Sequence, residues 1–72
     1  MDKGDNMKPN QIKELREELI LDQKQFGDLF GVSRTTISDW ENGKTKPSFA
    51  NMRKLKDMYQ KTIKTNHIGE NI

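Results

Sequence analysis

Between Leu21 and Pro47 the chain reads LDQKQFGDLFGVSRTTISDWENGKTKP, and no other segment leaves the backbone so few choices. Asp22 can cap a helix that begins at Gln23, Gln25 three residues on completes a capping-box pattern, and Phe26, Leu29 and Phe30 supply an apolar stripe. Gly31, just past the last apolar position, suits the left-handed conformation of a tight helix stop, and Ser33 caps a second helix two residues later. Two helices joined by a turn of about three residues must cross steeply. Gly27 costs roughly 1 kcal/mol inside a helix relative to alanine. Its bare position therefore predicts close approach of the next helix, which alanine would tolerate and valine would not.

The remainder reads as more short helices. Pro9 opens the first, predicted over Pro9 to Ile20, with Ile12, Leu15 and Leu19 on one face. The second runs from Gln23 to Phe30 and the third from Arg34 to Asn42, stopped by Gly43; Ser48 then caps a fourth that ends near Gln60 and carries Phe49, Met52, Leu55 and Met58 or Tyr59 as its stripe. Phe26, Phe30, Trp40 and Phe49 occupy apolar periods and read as core. Residues 1–7 lack periodicity and read as a disordered leader. The tail 61–72 fits no single period and is open to three readings: a short fifth helix, a dimer arm or disorder. The expectation is an all-α, compact bundle of four to five short helices, with its working domain over 8–60.

At this point the residues resemble a known family. Leu21-Asp22-Gln23, Gly27, Gly31-Val32-Ser33, Ile37-Ser38-Asp39-Trp40-Glu41-Asn42-Gly43 and Lys44-Thr45-Lys46-Pro47-Ser48 are similar to the helix-turn-helix of the lambda-repressor/Cro and xenobiotic-response-element class of bacterial regulators. The likeness covers about Ile12 to Tyr59. It implies a lambda-repressor-like DNA-binding domain whose third helix reads DNA, an Arg16–Glu41 bridge between the first and third helices, and phosphate contacts from Gln23 and the loop carrying Lys44 and Lys46. Two positions depart from the family pattern: Phe26-Gly27 stands where Leu-Ala is usual, and Asp39 sets a carboxylate where members often carry an uncharged or basic base-reading residue.

The net charge of +2 is unevenly spread. Residues 1–33 hold five basic and seven acidic side chains, whereas 34–64 hold eight and three, an excess of +5 that includes Arg34, Lys44, Lys46, Arg53, Lys54 and Lys56. A solubilising lysine face would look the same from charge alone. At about 100° per residue, Ile37 and Trp40 mark the inner side of the third helix, leaving Thr35, Ser38, Asp39 and Asn42 opposite and Arg34 at the edge of that face in the first turn. Arg34 can bind guanine O6 and N7, Thr35 and Ser38 can bond a base or meet a thymine methyl, and Asp39 can accept from cytosine N4. Gln23 at a helix N-terminus, Asn42, Lys44 and Lys46 are the expected phosphate contacts. Arg16, Glu41, Gly27 and Gly31 are expected to serve architecture.

Other classes find little support. There is no cysteine for a disulfide or a thiol nucleophile, the lone His67 lies in the unpatterned tail, and no glycine-rich phosphate loop appears, so neither catalysis, a cofactor nor a metal is expected. Leu19-Ile20-Leu21 is the longest aliphatic run and no export signal opens the chain, which points to the cytoplasm, and the resemblance implies a bacterial or phage-borne gene and a nucleoid-associated product. A domain of 72 residues buries a modest core, and dimerisation is the reinforcement left to it. The leading reading is a transcriptional regulator, a repressor occupying a pseudo-palindromic operator in double-stranded DNA as a homodimer. The alternative is an antitoxin or antirepressor-like module with a protein partner, suggested by small size, Asp39 and the isoleucines of the tail.

Overall fold

The computed structural model describes residues 7–64. Four helices follow in order, α1 (Pro9–Glu18), α2 (Gln23–Phe30), α3 (Arg34–Asn42) and α4 (Phe49–Tyr59), and a π-helical turn, Gln60–Lys64, carries the chain on from α4. The described part is all-helical, as expected. Residues 1–6 of the leader and 65–72 of the tail lie outside it, and with them the choice among the three readings of the tail.

Local chemistry sets the ends. Asp22 Oδ1 accepts the Gln25 backbone N–H at 2.7 Å while Gln25 Oε1 accepts that of Asp22 at 2.9 Å, so both halves of the capping box are made. Ser33 Oγ accepts from Thr36 N–H and Ser48 Oγ from Asn51 N–H, which caps α3 and α4. At the other end of α2, Gly31 takes φ +69°, and Val32 N–H reaches back to Gly27 carbonyl at 3.0 Å. Gly43 repeats the device at φ +77° with Lys44 N–H on Asp39 carbonyl. Between these stops the apolar faces meet. Ile12, Leu15, Phe26, Ile37 and Leu55 are fully buried, each worth roughly 1.5–3 kcal/mol of apolar transfer. Phe30 sets its ring edge-on to Phe26 at 5.0 Å and to Trp40 at 5.9 Å.

Several expectations are corrected. Phe49 is not core but 80% exposed: helical side chains lean toward the N-terminus, and at the first residue of α4 that direction runs off the end of the packed face. Leu29 is 41% exposed, because the buried arc of α2 is centred between Phe26, Phe30 and the bare Gly27 rather than on Phe26 and Leu29. Met7, assigned to the leader, is buried beside Met52, whose Sδ lies 3.5 Å from Met7 N–H. Its signal was legible: with Lys8 as N-cap, Met7 and Ile12 stand at the two positions of a hydrophobic staple, and Gln11 Oε1 accepts Lys8 N–H at 2.8 Å.

Helix α1 also stops two residues early. Ile20 takes φ +58°, a left-handed seat that glycine occupies after α2 and α3, and Leu21 N–H closes on Arg16 carbonyl at 3.2 Å. The side chain of Ile20 is 86% exposed, so nothing in the packing offsets that strain. At Gly27 the close approach is tighter than expected. A Cβ there would lie 2.6 Å from Val32 carbonyl oxygen and 3.2 Å from that of Ser33, so the obstacle is the turn's own backbone rather than a side chain of α3. Alanine is therefore not accommodated without a backbone shift, contrary to the expectation that it would be tolerated.

Two stability measurements check these points. Gly27→Ala should lower the free energy of urea unfolding by about 1 kcal/mol, as a clash of about 1–3 outweighs a helix-propensity gain of about 1, and Gly27→Val should lower it further. An alanine variant as stable as the parent would mean that the turn can back away. Ile20→Gly should raise stability by about 0.5–1 kcal/mol, the left-handed penalty of about 1–2 less the entropy glycine adds to the unfolded chain. Unchanged or reduced stability would place no strain at Ile20.

Candidate nucleic-acid interface

Helix α3 is held from within. Ile37 is fully buried and Trp40 is 3% exposed, which turns the opposite side of the helix outward. Arg34, Thr35 and Asn42 are exposed there, and Ser38 and Asp39 are half-buried at its margins. The sequence-expected readers thus share one surface. Its first turn is anchored by Ser33, whose hydroxyl also pairs with that of Thr36 at 3.1 Å, so Thr36, half-buried, belongs to the cap. Toward the other end, Asn42 Nδ2 donates to Ser38 Oγ at 3.3 Å. That bond leaves the Ser38 hydroxyl proton available and one amide hydrogen of Asn42 unused.

One polar cluster fixes how α3 sits. Arg16 Nε donates to Glu41 Oε2 at 2.7 Å and Nη2 to Oε1 at 3.2 Å, a two-pronged pair between α1 and α3. Nη1 donates to Leu21 carbonyl at 3.1 Å in the link before α2, and Gln23 Nε2 from the start of α2 donates to Glu41 Oε1 at 3.2 Å. Three helices therefore meet on one carboxylate. The Arg16 and Glu41 side chains are only 15% and 5% exposed. The hydrogen bond to Glu41, outweighing the opposing effect of burial, raises the Arg16 pKa above its ordinary value and keeps the guanidinium charged.

The flanking cations divide. Lys44 and Lys46 are exposed in the loop after α3, and Arg53 is exposed on α4. Lys54, counted on sequence with the phosphate-facing excess, instead donates to Leu29 carbonyl at 2.6 Å and lies 5.3 Å from the centre of the Phe30 ring. It neutralises the C-terminal end of α2, a task no local pattern announces because the two residues are 25 positions apart. Gln23, expected at phosphate, has one of its two amide hydrogens committed to Glu41. Among the described residues no group of His, Cys, Asp and Glu side chains could hold a metal ion, and no helix is long and apolar enough to cross a membrane.

Two short helices packed together, the glycine-stopped turn between them and the outward surface of the second define a helix-turn-helix DNA-binding domain of the lambda-repressor type. The chain belongs to the Cro/C1-type helix-turn-helix family, whose model matches residues 12–65. Over 49 residues it is 45% identical to the type II methyltransferase M.SsoII of Shigella sonnei, a stretch that covers 64% of this chain and 13% of that protein. No solved structure matches the chain. Membership of this family supports double-stranded DNA as the partner of the described unit.

The Arg16–Glu41 pair can be tested without DNA. Arg16→Ala or Glu41→Ala alone should lower unfolding free energy by about 2–4 kcal/mol, since each leaves a buried, unpaired charge. The double variant should lose less than the sum of the two by at least about 1 kcal/mol. Additive losses would reduce the bridge to two independent contacts.

Proposed function

We propose that the chain is a transcriptional repressor that acts by occupying a pseudo-palindromic operator as a homodimer. The observation that carries this reading is the outward surface of α3, with Arg34, Thr35, Ser38 and Asp39 on one side of a helix pinned from behind by Ile37 and Trp40. Two such helices, about 34 Å apart, enter successive major grooves. Arg34, in the first turn, is the guanine reader; Asp39 accepts from cytosine N4. Ser38, whose oxygen is taken by Asn42, donates its proton to a base acceptor, and Thr35 meets a base edge or a thymine methyl. Gln23, Asn42, Lys44 and Lys46 hold the DNA backbone. For Gln23 the geometry supports a double task, one amide hydrogen on Glu41 and the other on a phosphate.

A second reading, in which a protein is the main partner, draws on Ile20 and Phe49, both large, apolar and exposed. Isolated exposed apolar residues are common on monomers, so this observation weighs less than the α3 surface. The likeness to the methyltransferase reaches only 13% of that protein, and no methyl transfer is proposed for this chain.

Binding to duplexes selected from a random pool, read against salt, tests the proposal. Six to ten phosphate contacts per dimer give a log-log slope of about −5 to −9. Arg34→Ala should cost about 1–3 kcal/mol of specific affinity and relax discrimination at one base pair, whereas Lys44→Ala should weaken all sequences alike and flatten the salt slope by about 1 per site. Equal loss on every sequence for Arg34→Ala would remove it as a reader. A flat salt response with no preferred duplex would favour the protein-partner reading.

A further inference from the structure

Behind the DNA-facing surface, Trp40 also walls a partly open cavity of about 100 Å³. Met7, Ile12 and Met52 complete an apolar lining, and Thr45 and Pro47 close it from the loop between α3 and α4. Met7, Ile12, Trp40 and Met52 are each no more than 9% exposed and form its buried floor, while Pro9, Gly43, Thr45 and Lys46 are exposed around its mouth. Interiors seldom keep voids larger than a water molecule, because unfilled space forfeits dispersion contacts on every wall. On the apolar floor an ordered water gains little. It needs two to four polar partners, and the lining side chains offer little beyond the Thr45 hydroxyl and Lys46, which is exposed at the mouth. An apolar cavity of the same order, about 150 Å³ in an engineered protein, stays dry and takes up benzene or xenon.

We propose that this cavity is a binding site for a small, neutral, apolar molecule about the size of one aromatic ring. The space between the buried walls holds about one ring, and burial against Ile12, Trp40 and Met52 disfavours a charged group there, which would lose its hydration without a buried counter-charge. The site also adjoins the DNA-binding machinery. Trp40 belongs to α3, and Thr45 and Pro47 flank Lys46, so an occupant that shifts this wall moves the loop assigned above to the DNA backbone. That coupling rests on the proposed function; the binding itself does not.

Nuclear magnetic resonance of the full chain titrated with benzene tests the site on the protein alone. Saturable shifts at the Trp40 indole N–H and at the Met7 and Met52 methyl groups are expected. Met52→Phe, which fills the space, should abolish them, and Met7→Ala, which enlarges it, should admit para-xylene that the parent excludes; the second variant keeps the test decisive if the first does not fold. No saturable shift up to the solubility of benzene, or shifts scattered over the surface, would overturn the site. Tighter binding of benzoate than of benzene would overturn the neutral class. With the cavity saturated, duplex affinity should change at least threefold in the parent and not in Met52→Phe. Unchanged affinity would overturn the coupling, whereas a ligand-free parent that ignores every duplex would overturn the DNA-binding reading and leave the benzene titration to decide the cavity.

Discussion

The carboxylate of Glu41 is the point on which the arrangement turns. It lies on the reading helix, is almost wholly buried, and receives donors from Arg16 on α1 and Gln23 at the start of α2. A buried charge is tolerable only when its partners arrive with good geometry, so each donor constrains the helix that carries it. Arg16 adds a constraint by binding Leu21 carbonyl, which fixes the link through which α1 hands the chain to α2. The pair's value is directional as much as energetic: apolar contacts at Ile37 and Trp40 permit small rotations of α3, while a two-pronged bond at 2.7 and 3.2 Å does not.

Around this point, close approach by backbone completes the mounting. Gly27 lets the carbonyl oxygens of Val32 and Ser33 come within 2.6 and 3.2 Å of where a Cβ would be, and so brings the cap of α3 down onto α2. The three rings of Phe26, Phe30 and Trp40 fill the angle the two helices leave. At the edge of the same cluster, Lys54 from α4 joins the last carbonyls of α2 to the face of Phe30. Tyr59, farther along α4, donates to Glu14 on α1 at 3.1 Å, and its pKa is raised chiefly by burial and then by that bond, which holds the phenol neutral. The outward surface of α3 is what remains when every other side of the helix has been used.

Local chemistry made most of this architecture legible. Asp22 with Gln25, Ser33, Ser48, Gly31 and Gly43 each act within four residues of their own position, and each helix boundary they imply is observed. Beyond the local staple at Met7 and the left-handed turn at Ile20, the differences between sequence and structure lie in which elements meet. Phe49 keeps the period of α4, yet nothing stands opposite the first turn to cover it. Met7 packs beside Met52, 45 residues away, and Lys54, exposed as it is, is tied to a carbonyl 25 residues away. The glycine at 27 was recognised as a contact, but its tightness depends on where two carbonyl oxygens of the turn come to rest.

By itself, then, the amino-acid order determined the four helices, the glycine stops of α2 and α3 and the side of α3 that faces inward, because capping, left-handed glycine seats and the 3.6-residue period all act over short distances along the chain. Tertiary structure alone decided which donor of Gln23 is already engaged, which lysine is tied to the end of α2, and that a cavity opens between Met7, Trp40 and Met52. Those outcomes depend on how separate helices fill shared space, and periodicity records only which face turns inward, not how well it is filled.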